Sequence, residues 1–347
     1  MITRPLFVVF VCGLGACILP TNATIPASGR AGAPRAPTSG PREPGENPFK
    51  DAYWLIRPNS NAARTAEALR RRRPKDAAAV AKIAQQPAAF WMGNWNPRID
   101  DDVRILVKQH ARSGALPVMV LYNLPFRDCG QHSAGGSKTP ARYRAWIDAV
   151  ARGLADYRAV FVLEPDGLPM LTKCLDEQRQ QERLALVRYA VEKLKAKPGA
   201  AVYLDAGHSA WATVDDMAPR LQAAGIAQAD GFALNVSNYQ ATSDLMIYGK
   251  SLSAAVGGKH FIIDTSRNGN GAPKDVTGDD ERAWCNPPGR ALGTPPTTNT
   301  GEPLCDAFYW LKPPGESDGR CNGGPQAGAW FAERAVELAR NARWTTP

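Results

Sequence analysis

The chain has 347 residues, of which 44% are apolar and 22% charged, and Lys and Arg exceed Asp and Glu by 42 to 33 for a net charge of +9. That composition supplies a buried core and excludes a disordered chain, a collagen or a polytopic membrane protein. The basic balance permits acidic partners without requiring them. The first element is an apolar run, Leu6 to Leu19, of 14 residues behind Arg4. It is short for a membrane span of ~20 residues and fits the core of a signal peptide. Thr21-Asn22-Ala23 offers a cleavage site, so residues 1–23 are read as a leader. Leu14-Gly15-Ala16-Cys17 also fits a lipobox, which would acylate Cys17 and attach the chain to a membrane. Residues 24–46 are rich in Pro and Gly and read as a linker. Residues 47–347 show no composition break and are read as one domain of a secreted protein.

Within that domain short apolar runs recur at Tyr53–Ile56, Phe90–Met92, Val118–Tyr122, Val160–Leu163, Ala201–Leu204, Gly231–Leu234, Phe261–Ile263 and Phe308–Leu311. Several are near-continuous, as expected of strands buried on both faces of a parallel sheet. Helical patterns fall between most of them, at Ala141–Tyr157, Gln178–Ala196, Asp215–Ala224, Ser243–Val256 and Gln326–Asn341. The alternation predicts an α/β fold, either a (β/α) barrel or a doubly wound sheet. Asp128, Glu164, Asp166, Asp205, Asn235, Asp264 and Lys312 follow the C-terminal ends of these runs, where barrel active sites gather. The basic run Arg70–Arg73 precedes Pro74 with no interleaved aromatics and reads as a solvated helix end, so no nucleic acid is expected.

The chemistry narrows by elimination. The four histidines, His110, His132, His208 and His260, show no metal-binding spacing, and no cysteine pair has CxxC spacing. No GxSxG elbow, P-loop or GxGxxG occurs, so neither a metal nor a nucleotide cofactor is expected. What remains is a set of carboxylates and nine Trp. Flat indoles such as Trp91, Trp95, Trp211 and Trp284, at or beyond strand ends, can stack on sugar rings. Two carboxylates, one with a raised pKa, are the minimum equipment for glycoside hydrolysis.

The block Leu121–Gly130 (Leu-Tyr-Asn-Leu-Pro-Phe-Arg-Asp-Cys-Gly) and the block Val160–Asp166 (Val-Phe-Val-Leu-Glu-Pro-Asp) resemble the two signatures of glycoside hydrolase family 6. The resemblance continues through Tyr203–Trp211, Asn235–Tyr239, Ile263–Gly269, Trp284–Pro287 and Trp310–Gly319, covering roughly residues 50–342. It implies a distorted, incompletely closed (β/α) barrel of about seven to eight parallel strands, similar to the short bacterial secreted glucanases. The implied activity is hydrolysis of β-1,4-glucan, as polysaccharide or cello-oligosaccharide, with inversion. Asp166 matches the general acid, Asp128 its pKa and proton-transfer partner, and Asp318 the candidate base. Lys312 and Glu316 match sugar-hydroxyl contacts. Trp91, Trp211 and Trp284 match stacking platforms, and Asp205, His208 and Asn238 match polar groups of the cleft. Short covering loops favour internal cleavage.

Two positions depart from the family pattern. Leu55 takes the place read as that of a Tyr that presses on the distorted sugar. Ala134 stands six residues after Asp128, where a water-positioning Ser is usual. The alternative reading is therefore a carbohydrate-binding protein with reduced or lost turnover. Five cysteines remain outside the leader. A Cys129–Cys174 bridge would staple the two catalytic loops, and Cys285–Cys321 would flank Trp284 and Asp318. Cys305 is then left over, with its pairing to either neighbour the alternative.

Overall fold

The computed structural model describes residues 37–344 apart from 44, 275 and 277–279. The leader, Cys17 and most of the linker lie outside these residues. Among the described residues no helix is long and apolar enough to cross a membrane.

Seven strands form one parallel sheet in strict chain order: β1 Phe90–Gly93, β2 Val118–Tyr122, β3 Ala159–Leu163, β4 Ala200–Asp205, β5 Gly231–Leu234, β6 His260–Asp264 and β7 Cys305–Tyr309. Sequential order with a helix over each of the first five crossovers curls the sheet toward a barrel. The two edges approach without forming a ladder. Ala89 N–H donates to Trp310 O over 3.0 Å, and the Trp91 indole donates to Leu311 O over 2.8 Å. The barrel is thus incompletely closed, as the resemblance implies.

The near-continuous runs have the expected cause, because both faces of the sheet are buried. Met119, Leu121, Phe161, Leu163, Val202 and Leu204 face outward under the helices α3 Ile99–Arg112, α4 Pro140–Leu154, α5 Glu177–Lys195, α6 Val214–Ala223 and α7 Thr242–Ala255. Val118, Val120, Val160, Val162, Ala201 and Tyr203 face inward. Thr139, Asp176 and Thr213 cap the N-termini of α4, α5 and α6 through their side-chain oxygens.

Two expectations about elements need correction. Tyr53–Ile56 is not an eighth strand. Tyr53 makes a single parallel bridge to Ala115, while neighbouring Phe49 and Trp54 pack on Tyr309 inside the barrel. The segment is apolar because it plugs the barrel. The last helix begins only at Ala332, as α9 Ala332–Asn341. Residues 326–331 are a loop with Gly328 at φ +78°, and Trp330 bridges Glu316. Two short Ala-rich helices, α1 Asn61–Leu69 and α2 Pro74–Ala84, pack with α9 around Trp310. Arg70–Arg73 forms the turn between them, where Arg73 pairs with Asp76 and Glu333.

Candidate active site

The C-terminal strand ends open into a cleft of about 380 Å³. The backbone there is locally strained: Asp128, Cys129, Glu164, Asp166, Asn235 and Ser237 all have left-handed φ between 48° and 68°. Non-glycine residues hold that conformation at a cost, and clusters of them mark functional sites.

Asp166, at the turn after β3, lines the cleft. Tyr122 at the end of β2 donates its hydroxyl to Asp166 Oδ2 over 2.9 Å, and the Asp166 main-chain N–H donates to Asp205 Oδ2 over 2.9 Å. Burial, and next the charge of Asp128, push the Asp166 carboxyl up to about 7, although the Tyr122 hydroxyl and Lys312 pull it down. Burial raises Asp128 as well, offset in part by the Ser133 N–H, which donates to Asp128 Oδ2 over 2.7 Å. Asp318 is the opposite case. Burial alone would raise it, but the positive charges of Arg267 and Lys312 outweigh burial and hold it below the ordinary carboxylate range. Its Oδ2 accepts from Arg267 Nη1 at 2.8 Å, Tyr239 Oη at 2.9 Å and Asn286 N at 3.0 Å. The three aspartates therefore share one cleft with their affinities for protons set apart, the condition for separate acid and base roles.

Trp91, Trp211 and Trp284 line the same cleft, as do His208, Asn238 and Lys312. Trp91 stands edge-on to Tyr122, 5.4 Å between centroids, and the Lys312 ammonium lies 5.3 Å from the Trp91 ring centroid. The Lys312 main-chain N–H is anchored on Asp264 Oδ2 at 3.0 Å, and the Ser237 N–H shares that oxygen at 3.0 Å. One buried carboxylate thus ties the loops after β5 and β7. Burial pulls His208 down to about 4, opposed by a bond with the Asn238 side chain, so His208 is neutral at working pH.

Two expected residues are not on the cleft wall. Asp205 is fully buried behind Asp166 and holds its main chain. Glu316 sits outside the lining, raised by burial against the charges of Lys312 and Arg57. The expected bridges Cys129–Cys174 and Cys285–Cys321 are formed, and Cys305 is free and buried. Sequence reasoning did not single out Tyr122 or Arg267, whereas Ser133, next to Ala134, is the sequence's own alternative for the water-positioning serine. Tyr122 lies in a quoted block as the last residue of its strand, and that position at the C-terminal end is the signal that could have found it.

The described chain matches the family model "Glycosyl hydrolases family 6" over residues 49–342. The chain belongs to that family. It is 46% identical over 297 residues to endoglucanase A of Thermobispora bispora, covering 84% of this chain and 63% of that protein. It is 46% identical over 272 residues to endoglucanase A of Cellulomonas fimi, covering 78% of this chain and 57% of that protein. The match to both relatives thus spans less than two thirds of their length. The fold superposes on the Cel6 endoglucanase of Mycobacterium tuberculosis, solved with methyl-cellobiosyl-4-deoxy-4-thio-β-D-cellobioside, with a TM-score of 0.80 and 42% identity over 85% of this chain and 99% of that one.

Within the family frame the alternative of a binding protein without turnover is not supported. It rested on Leu55 and Ala134, and neither lines the cleft. The tyrosine in the cleft is Tyr122, bonded to Asp166. The serine in the cleft is Ser133, because the left-handed turn at Asp128, Cys129 and Gly130 brings it back onto Asp128.

Proposed function

We propose that this chain is a secreted, inverting β-1,4-glucanase that cleaves cellulose or soluble β-glucan internally. The observation that carries the reading is Asp166, a carboxyl raised to about 7 on the wall of an aromatic-lined cleft, next to the charge of Asp128. At neutral pH such a group still holds the proton that a leaving sugar oxygen needs. Trp91, Trp211 and Trp284 stack on pyranose rings, and Lys312, His208 and Asn238 bond their hydroxyls. Asp128 keeps Asp166 protonated by like charge. Asp318 accepts from three donors at Oδ2 and stays ionised, so it orients the attacking water and, with Asp128 as proton-transfer partner, takes up the proton that water releases as it adds to the anomeric carbon.

Inversion follows from the family resemblance and requires ~6.5–9.5 Å between acid and base so that water fits. Internal cleavage is supported by the names of the 46% identical relatives, both endoglucanases. Secretion is supported by the apolar run Leu6–Leu19 and by two disulfides, which persist in oxidising compartments. The test is viscosity loss of a soluble β-1,4-glucan set beside release of reducing ends, with the anomer of the first product followed by NMR. A fast viscosity drop with an α-product supports the reading; a β-product or no hydrolysis overturns it.

A further inference from the structure

We propose that His132 is a specificity-determining strap, which joins the two catalytic walls across the cleft and so governs how readily the interior of a polymer is admitted. The proposal rests on the glucanase reading above. The loop 128–136 after β2 supplies Asp128, Gln131 and Ser133 to one wall, and its base is bonded to the β3 side by Cys129–Cys174. The short helix α8 Glu281–Trp284 and the segment 318–321 supply Trp284 and Asp318 to the other wall, and Cys285–Cys321 joins them. Three strands separate β2 from β6, and β7 lies beyond. Across the open seam β7 approaches β1, the neighbour of β2, so these loops stand near one another, but no strand ladder joins them.

His132 does. Its Nε2 lies 2.8 Å from Glu281 Oε1, and its ring centroid is 5.9 Å from that of Trp284. The ring also lies against Gly319, where an added Cβ would come within 2.3 Å of the imidazole Cγ. That residue is thus held to glycine by His132 itself, one position after Asp318. Cys285 and Cys321 stand close to the His132–Glu281 pair, but their sulfurs are bonded to each other and offer no thiolate to a metal. The cluster is accordingly a contact between walls.

Gln131 and Ser133, which flank His132, line the cleft while His132 and Glu281 do not, so the strap sits at the rim of the cleft beside the path of the substrate. A short oligosaccharide can slide past such a strap end-first. The middle of a polymer has to be laid in from the side, which requires the strap to part. The His132 and Glu281 side chains keep 27% and 51% of their exposure, and a pair that open to solvent is weak and parts readily. The strap is therefore a resistance to side entry rather than a permanent roof.

The experiment compares initial rates on a long soluble β-1,4-glucan and on cellotetraose for the wild type, His132→Ala, Glu281→Gln and His132→Gln. The proposal expects the polymer-to-oligosaccharide ratio of kcat/KM to rise at least threefold in His132→Ala and to rise in Glu281→Gln. The ratio should return toward wild type in His132→Gln, whose amide can still donate to Glu281. Ratios unchanged in both His132→Ala and Glu281→Gln, with the wild type active on both substrates, overturn the strap and leave the glucanase reading standing. Glu281 is exposed, so its variant keeps the test open if His132→Ala does not fold. A wild type that hydrolyses neither substrate overturns the glucanase reading and the strap with it.

Discussion

The Tyr122 hydroxyl donates to Asp166 Oδ2 across 2.9 Å, so the proton inventory of the proposed acid is set jointly by β2 and β3. A hydroxyl donating to a carboxylate favours its charged form and lowers its pKa. In Tyr122→Phe the aromatic wall stays and that bond goes. The Asp166 pKa should rise, and the alkaline limb of kcat/KM should move to higher pH. A pH–rate profile checks this; a limb that moves down would show that the bond acts otherwise.

Burial raises Asp166 from 3.8 and Glu164 from 4.5, each to about 7. Their folded pKa values lie above the unfolded ones of about 4. Stability from the protonated forms is therefore fully present below about pH 4 and is lost as pH rises through about 7. Asp166→Asn cannot ionise and escapes its share of that loss. The gap in Tm between Asp166→Asn and wild type should widen in the variant's favour from pH 4 to pH 8. A gap that stays flat across thermal scans would mean that Asp166 is not raised in the folded protein.

Leu55 and Ala134 are off the cleft, so Leu55→Tyr and Ala134→Ser should each change kcat by less than about twofold, ~0.4 kcal/mol in the barrier. Ser133→Ala removes the hydroxyl of a residue that does line the cleft, keeps its N–H bond to Asp128, and should lower kcat more than it alters KM. Steady-state kinetics of the three variants on cellotetraose decide between the two positions. A gain in Ala134→Ser with no loss in Ser133→Ala would reverse the assignment.

Arg267 is buried against Asp318 with 1% of its surface exposed. Arg267→Met leaves that carboxylate buried without its main counter-charge. Breaking a buried pair from one side costs ~3–5 kcal/mol. Denaturant unfolding should show a loss of that order. A loss under about 1 kcal/mol would show that Tyr239 and Asn286 suffice to hold Asp318.

Much of this was legible in the sequence for a physical reason. Strands such as Val118–Tyr122 and Val160–Leu163 are buried on both faces and read as unbroken apolar runs. The aspartates follow those runs because barrel sites form at strand ends. The failures are equally physical. The segment around Tyr53–Ile56 is apolar because its neighbours fill the barrel, and burial inside a barrel looks the same in sequence as burial in a sheet. The short helices α1 and α2 bury only Ala62, Ala77, Ala79, Val80 and Ile83 among their apolar residues, a small and Ala-rich face that leaves a faint period. Counting six residues from Asp128 reached Ala134, because a count along the chain takes no account of the left-handed turn that returns Ser133 to the cleft.

The central claim is that Asp166 supplies the proton to the leaving sugar. The direct measurement compares Asp166→Asn on two substrates, cellotetraose and a cellobiosyl fluoride whose leaving group needs no proton. General acid help is worth ~10²–10⁴-fold. The account predicts a loss of that size on cellotetraose, oligosaccharide binding nearly intact, and a much smaller loss on the fluoride. Retention of more than about a tenth of the cellotetraose activity, on the order of 1.4 kcal/mol or less in the barrier, or equal losses on both substrates, would contradict it.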